Sequence, residues 1–156
     1  MKGDRDVLVI FNLETNLDSQ VLAMGHSWVE KLAGNDFQKV YVYSTHVGRH
    51  QLPTNVTVVE IGGGNFFKRL RALYRLTLAS ATILRNSNRA MVFHHMSVRT
   101  VIFPGLLFKL FRIPQGLWYS HSALPGSLKL ALKITDLVFT STMGSTKIES
   151  KKLRFV

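Results

Sequence analysis

The chain has 156 residues, of which 46% are hydrophobic, no cysteine, and a formal net charge of +11. That length fits one domain with a real core, and the missing cysteines exclude disulfides and thiolate metal sites. Eleven of its twenty lysines and arginines lie between Ile61 and Thr135, 75 residues without Asp or Glu, so the excess charge belongs to one region.

Val7 to Phe11 is a continuous apolar run of strand length, the pattern of a strand buried on both faces of a parallel sheet. A polar loop is expected over Asn12 to Asp18. Val21, Leu22, Met24, Trp28, Val29 and Leu32 then recur at helical spacing, and Gly34-Asn35 ends the helix. Val40 to Tyr43 and Val56 to Ile61 read as the next strands. Gly62-Gly63-Gly64 follows as a turn, with an anion nest as the lesser alternative. A long helix is expected from Asn65 to Asn86, with Phe66, Leu70, Leu73, Thr77, Ala81 and Leu84 on one face and Lys68, Arg71 and Arg75 on another. Ala90 to Phe93 is strand four. Val98 to Phe111 is a helix that Pro104 should kink or break. Gly116 to Tyr119 is strand five, Leu124 to Lys133 a helix, Leu137 to Thr140 strand six, and Lys152 to Val156 begins another strand.

Short apolar strands alternating with helices predict an α/β domain over residues 1–156. Its architecture is a Rossmann-like open, mainly parallel sheet of six to seven strands with helices on both faces. Ligands in such sheets bind at the carboxyl ends of the strands, near the switch in strand order. The loops to inspect are therefore Asn12 to Asp18, His94 to Ser97, Ser120 to Ser122, and Ser141-Thr142. Three of the six histidines, His94, His95 and His121, fall in two of these loops. Each alone is most simply a cap on neighbouring backbone; the group together reads as a site. Metal is not expected, because adjacent residues of an extended chain point to opposite sides and no third ligand stands at a useful spacing. No cofactor is expected either. The loop after strand one lacks the glycines of a dinucleotide fingerprint.

The basic region attracts phosphates on nucleic acid, on lipid headgroups or on a phosphorylated ligand. No RNA- or DNA-binding motif and no arginine-rich tail is present, so nucleic acid is set aside. Phe66 and Phe67 beside Lys68, Arg69, Arg71 and Arg75 instead resemble an interfacial anchor, apolar wedges among cations, and point to an anionic membrane surface. The five-residue apolar run after the charged N-terminus is too short for a signal-peptide core, and Val101 to Ile113 is too short and too interrupted to span a bilayer. The expected location is cytoplasmic, peripheral at the inner face of the cell membrane.

Gly116-Leu117-Trp118-Tyr119-Ser120-His121-Ser122, followed by Asp136-Leu137-Val138-Phe139-Thr140-Ser141-Thr142, resembles the N-terminal domain of GT-B-fold glycosyltransferases of family 4. There one strand ends in Trp-Tyr-x-His and a later one carries Asp-x-Val-Phe-Thr-Ser. The tail Lys147 to Val156 resembles the segment before the interdomain linker of those enzymes. The resemblance covers the whole chain in element order and is motif-specific from Gly116 onward. It implies half of a GT-B fold: the acceptor-binding domain of a retaining, metal-independent polysaccharide-biosynthesis transferase that uses a nucleotide-sugar donor and a lipid-linked or glycan acceptor. The donor-binding C-terminal domain would lie outside this chain, which alone should be inactive. By position, His121 matches the histidine near the reacting sugar, and His95 a loop facing the acceptor. Thr15 to Asp18 matches a first loop whose glycines lie against donor phosphates; lacking them, this chain offers Asn16 as a side-chain substitute. The candidate substrate-binding set is thus Thr15, Asn16, Asp18, His95, Ser120, Ser122 and Ser141. Two alternatives stay open: a non-catalytic Rossmann-like subunit recruiting a separate catalytic chain to the membrane, and a small nucleotide-binding domain of other chemistry.

Overall fold

The computed structural model describes residues 3–20, 23–34, 37–142 and 144–156. Val21, Leu22 and Asn35, which the periodicity places in and just after the first helix, lie outside them. Chain order is β1 (Gly3–Thr15), α1 (Ala23–Ala33), β2 (Lys39–Val47), β3 (Val56–Glu60), α2 (Phe66–Arg85), β4 (Ser87–His95), α3 (Val98–Leu110), β5 (Gln115–Trp118), α4 (Gly126–Ile134), β6 (Leu137–Thr140) and β7 (Leu153–Phe155). The seven strands form one sheet in the order β3-β2-β1-β4-β5-β6-β7, and every pairing is parallel. This is the Rossmann-like α/β architecture that the alternating pattern predicts.

Handedness distributes the helices. β1 to β2 steps one way along the sheet, whereas β3 to β4, β4 to β5 and β5 to β6 step the other way. Right-handed crossovers then put α1 on one face and α2, α3 and α4 on the opposite face. The core follows the same division. Val7, Val9 and Phe11 pack with Ala81, Leu84 and Phe108 of α2 and α3, while Leu8 and Ile10 pack with Val29 and Ala33 of α1. Val101, Leu117, Leu128, Ala131 and Val138 extend the core beneath α3 and α4.

Local chemistry explains the element ends. The Asn65 side chain accepts from the Lys68 N–H at 3.0 Å and caps α2, directly after Gly64 at φ +82°, a left-handed conformation that a side chain would strain. Gly62 lies so close to Thr45 that an added Cβ would fall 1.8 Å from its carbonyl oxygen. Pro104 sits inside α3, which runs on without a break. Two further expectations are corrected. β1 continues to Thr15, so Asn12 to Thr15 are strand and only Asn16 to Asp18 belong to the loop. In α2 the apolar pattern is buried only in the C-terminal half, at Thr77, Ser80, Ala81 and Leu84; Phe66 and Leu70 stand exposed.

Phe108 has no exposed surface and meets Phe11 at a ring distance of 6.2 Å, joining α3 to the central strand. Phe108→Ala should therefore destabilise the domain by about 3–5 kcal/mol, the usual cost of an aromatic-sized cavity, as measured by urea unfolding.

Candidate functional site at the carboxyl edge

The carboxyl ends of β1, β2, β4, β5 and β6 carry the candidate residues, and hydrogen bonding sorts them into two groups. On the β1–β2 side, Thr15 is buried and its hydroxyl meets the Ser44 hydroxyl at 2.8 Å, so it belongs to the strand interior rather than an open loop. Asn16 donates to the Glu14 carboxylate at 3.1 Å and accepts from the Asp18 N–H at 3.1 Å. Its side chain fills the space beside Gly48, where a Cβ would collide with it. Asp18 pairs with Arg49, whose guanidinium holds the carboxyl below its usual range. The Leu17 N–H donates to Arg49 O at 2.8 Å and the Gly48 N–H to Thr15 O at 3.0 Å. The whole first loop therefore leans toward β2.

The two adjacent histidines of β4 point to opposite faces, as strand geometry requires. His94 stacks on Phe11 with ring centroids 5.2 Å apart. Its Nδ1 meets Thr100 Oγ1 at 3.0 Å, and its Nε2 meets Gln115 Oε1 at 3.2 Å. With both nitrogens occupied and no exposed surface, His94 is a structural residue. His95 is 4% exposed, and its Nδ1 meets Asn12 Oδ1 at 2.9 Å. Burial pushes both imidazoles down to about 4, so both are neutral at physiological pH.

On the β5–β6 side, His121 is exposed just beyond β5, and its Nδ1 accepts from the Ala123 N–H at 3.0 Å. Ser120 and Ser141 hydroxyls meet at 3.1 Å, and Ser122 is exposed beside them. The loop after β4 joins this group, because the Met96 N–H donates to Trp118 O at 2.9 Å. Asn16 over β2 and His121 after β5 are three strand spacings apart, roughly 14 Å. They do not touch a common small group; an extended ligand is needed to span them. Among the described residues no three His, Asp or Glu side chains converge as a metal site.

The basic helix forms a separate surface. Lys68, Arg69, Arg71 and Arg75 are exposed, and Arg69 is tied back by a 3.0 Å bond from Nε to Gly64 O. Beside them, Leu70, Leu73, Tyr74, Phe103, Pro104 and Leu107 line an apolar groove of about 190 Å³ between α2 and α3. Phe103, Leu106 and Leu110 form an exposed apolar stripe on α3, at 65%, 52% and 71% exposure. No helix of the described residues is long and apolar enough to cross a membrane.

Asn12 is the functional candidate that the sequence reading missed. Its signal is positional: it continues the two-residue alternation of an apolar strand as the first polar member. That predicts burial with a partner rather than a loop.

No protein-family model and no curated protein matches this sequence. Two solved structures share the fold. UDP-GlcNAc 2-epimerase from Methanocaldococcus jannaschii aligns over 97% of this chain at 13% identity with a TM-score of 0.60, and MurG from Acinetobacter baumannii over 95% at 12% identity with a TM-score of 0.56. The aligned regions span 45% and 44% of those chains, so this chain is less than half their length. The likeness establishes the architecture: the Rossmann-like half of a GT-B type fold.

The buried histidines set an acid limit on stability. Unfolded, each titrates near 6.5; folded, each titrates near 4, so the unfolded chain binds more protons between these values. Stability should be level above pH 6.5 and fall as the pH drops toward 4, by up to about 3 kcal/mol per histidine. Urea unfolding across this range measures the slope, and His95→Gln should reduce it.

Proposed function

We propose that the chain is the acceptor-binding half of a retaining, nucleotide-sugar-dependent glycosyltransferase of the family 4 type, acting on a lipid-linked or glycan acceptor. The observation that carries this reading is the placement of Trp118-Tyr119-Ser120-His121, with His121 exposed just past the carboxyl end of β5. A ring there is free to bond a sugar hydroxyl or to stabilise a leaving phosphate as charge develops on it. The fold supports it, since one structure of the same architecture is named for the nucleotide sugar UDP-GlcNAc. The donor-holding wall of the cleft is assigned to a second domain. Sugar transfer needs both substrates held in one geometry, so one wall alone is inactive.

The outer face of α2 to α4 is assigned to an anionic membrane surface, which gives the protein a peripheral place at the inner face of the cell membrane. Among the described residues, eleven of the sixteen exposed large hydrophobic side chains lie between Phe66 and Leu130, the region without any acidic residue. Apolar side chains among unopposed cations match an anionic interface in both respects. The same face favours one alternative reading, a non-catalytic subunit that recruits a separate catalytic chain.

Three outcomes test these assignments. The 156 residues alone should show no turnover with nucleotide sugars and lipid acceptors. In the complete enzyme, His121→Ala should lower turnover about 100-fold or more with little change in melting temperature, whereas intact turnover would favour the recruiting subunit. Each cation near the surface contributes about 1 kcal/mol, so replacing Lys68, Arg71 and Arg75 by Glu should abolish sedimentation with anionic vesicles at low salt.

A further inference from the structure

The strand order reverses between β1 and β4, and the loops leaving these two strands are bonded away from each other. The loop after β1 is held to β2 through Leu17, Gly48 and Arg49, while the loop after β4 is held to β5 through Met96 and Trp118. His95 and Asn12 occupy the gap between them. In an open parallel sheet this divergence is where a ligand enters.

The bonding around Asn12 settles which nitrogen of His95 carries the proton. Asn12 Nδ2 donates to Glu14 O at 2.7 Å and to Thr15 Oγ1 at 3.2 Å, so its Oδ1 is the atom facing the ring. An amide oxygen only accepts, and therefore His95 Nδ1 donates. The neutral ring then holds its lone pair on Nε2. Among the described residues Nε2 has no partner, and no fully buried side-chain nitrogen or oxygen there lacks one, so Nε2 belongs to the small part of His95, 4% in all, that reaches the surface. Asn12 itself cannot turn aside, because Gly25 of α1 packs so closely that a Cβ would lie 2.8 Å from its amide nitrogen.

On the β1–β2 side the surroundings are unsuited to phosphate. The nearby backbone N–H groups of Leu17, Asp18 and Gly48 are spent inside the protein. The Glu14 carboxylate is the charge beside them, held by Asn16 at 3.1 Å and Ser19 at 3.1 Å, and the Arg49 cation is engaged by Asp18. A deprotonated phosphate oxygen would meet the Nε2 lone pair with one of its own. We propose that this gap binds a neutral hydroxyl group of a sugar or polyol, which donates to His95 Nε2, in preference to a phosphate oxygen without a proton. Asn12 is the positioning residue. The inference deepens the acceptor-side reading and rests on it for the choice of a sugar hydroxyl.

The test uses the chain itself, ¹⁵N-labelled, in long-range proton–nitrogen spectra at neutral pH. His95 should show the Nδ1–H form, and Asn12→Leu should release it into a mixture of both forms. N-acetylglucosamine at about 0.1 M, enough to reveal dissociation constants in the tens of millimolar, should move the Nε2 signal saturably. Dimethyl phosphate, an anion with no hydroxyl to donate, should leave it in place at matched ionic strength. Asn12→Leu should weaken the sugar response at least tenfold, while Lys31→Ala, exposed in the last turn of α1, should not. An Nε2–H form, a response to dimethyl phosphate, or no response to the sugar would overturn the proposal. A response to dimethyl phosphate would still leave the transferase reading standing, whereas a sugar response with no turnover in the complete enzyme would sink only that reading.

Discussion

The central strand β1 is the constraint on which the rest of the molecule depends. Val7 to Phe11 are at most 2% exposed, and β1 pairs with β2 on one side and β4 on the other. Alternation along a strand sends Val7, Val9 and Phe11 toward α2 and α3, and Leu8 and Ile10 toward α1. The same alternation continues into the polar end. Phe11 stacks on His94 on one face, and Asn12 bonds His95 on the other. A one-residue slip would exchange the faces, placing polar groups in the aromatic core and apolar groups at the edge. The register that builds the core therefore also builds the site.

Handed crossovers turn a charge bias along the chain into a spatial one. The segment without acidic residues contributes α2, α3 and α4, all on one face, together with β4 and β5, whose interior positions carry no charge. Its cations divide by position. Arg85 lies over the Phe111 ring at 5.1 Å, Arg89 pairs with Asp6, and Lys109 pairs with Asp136 at 3.1 Å, near the amino ends of the strands. Lys68, Arg71 and Arg75 have no acidic partner among the described residues. Exposed ion pairs contribute little to stability, so these three cations are not explained by folding.

Periodicity made most elements legible. Asn65 and Asn86 bound α2 as read from the sequence, and Leu137 to Thr140 is β6 to the residue. Such signals are local, because capping and alternation involve residues a few positions apart. The end of β1 was legible only in part, for the opposite reason: alternation can mark Asn12 as buried but cannot name its partner. Asn12, Thr15 and Ser44 look like loop residues, and they are buried only because their partners lie 29 and 83 residues away. Likewise, the two histidines of β4 look alike in sequence; only the faces they meet make one structural and leave the other with an open nitrogen. The apolar stripe of α2 gives a direction but not what covers it, and among the described residues Phe66 and Leu70 stay exposed.

Geometry joins the two surfaces assigned above. α2 begins directly after β3, so its first turn lies at the carboxyl edge of the sheet, the edge that carries His95 and His121. Twenty residues at about 1.5 Å each carry α2 roughly 30 Å toward the other edge. The most exposed aromatics, Phe66 at 70% and Phe67 at 77%, stand in the first turn, together with Lys68 and Arg69. On the proposed reading, a bilayer that takes up these side chains holds the carboxyl edge beside its own surface. A lipid-linked acceptor then reaches the gap at His95 without leaving the membrane, and only its polar headgroup has to be extended. That arrangement lowers the cost of bringing the acceptor into place, because the lipid chain stays in its apolar phase while the hydroxyl meets a nitrogen already oriented to receive it.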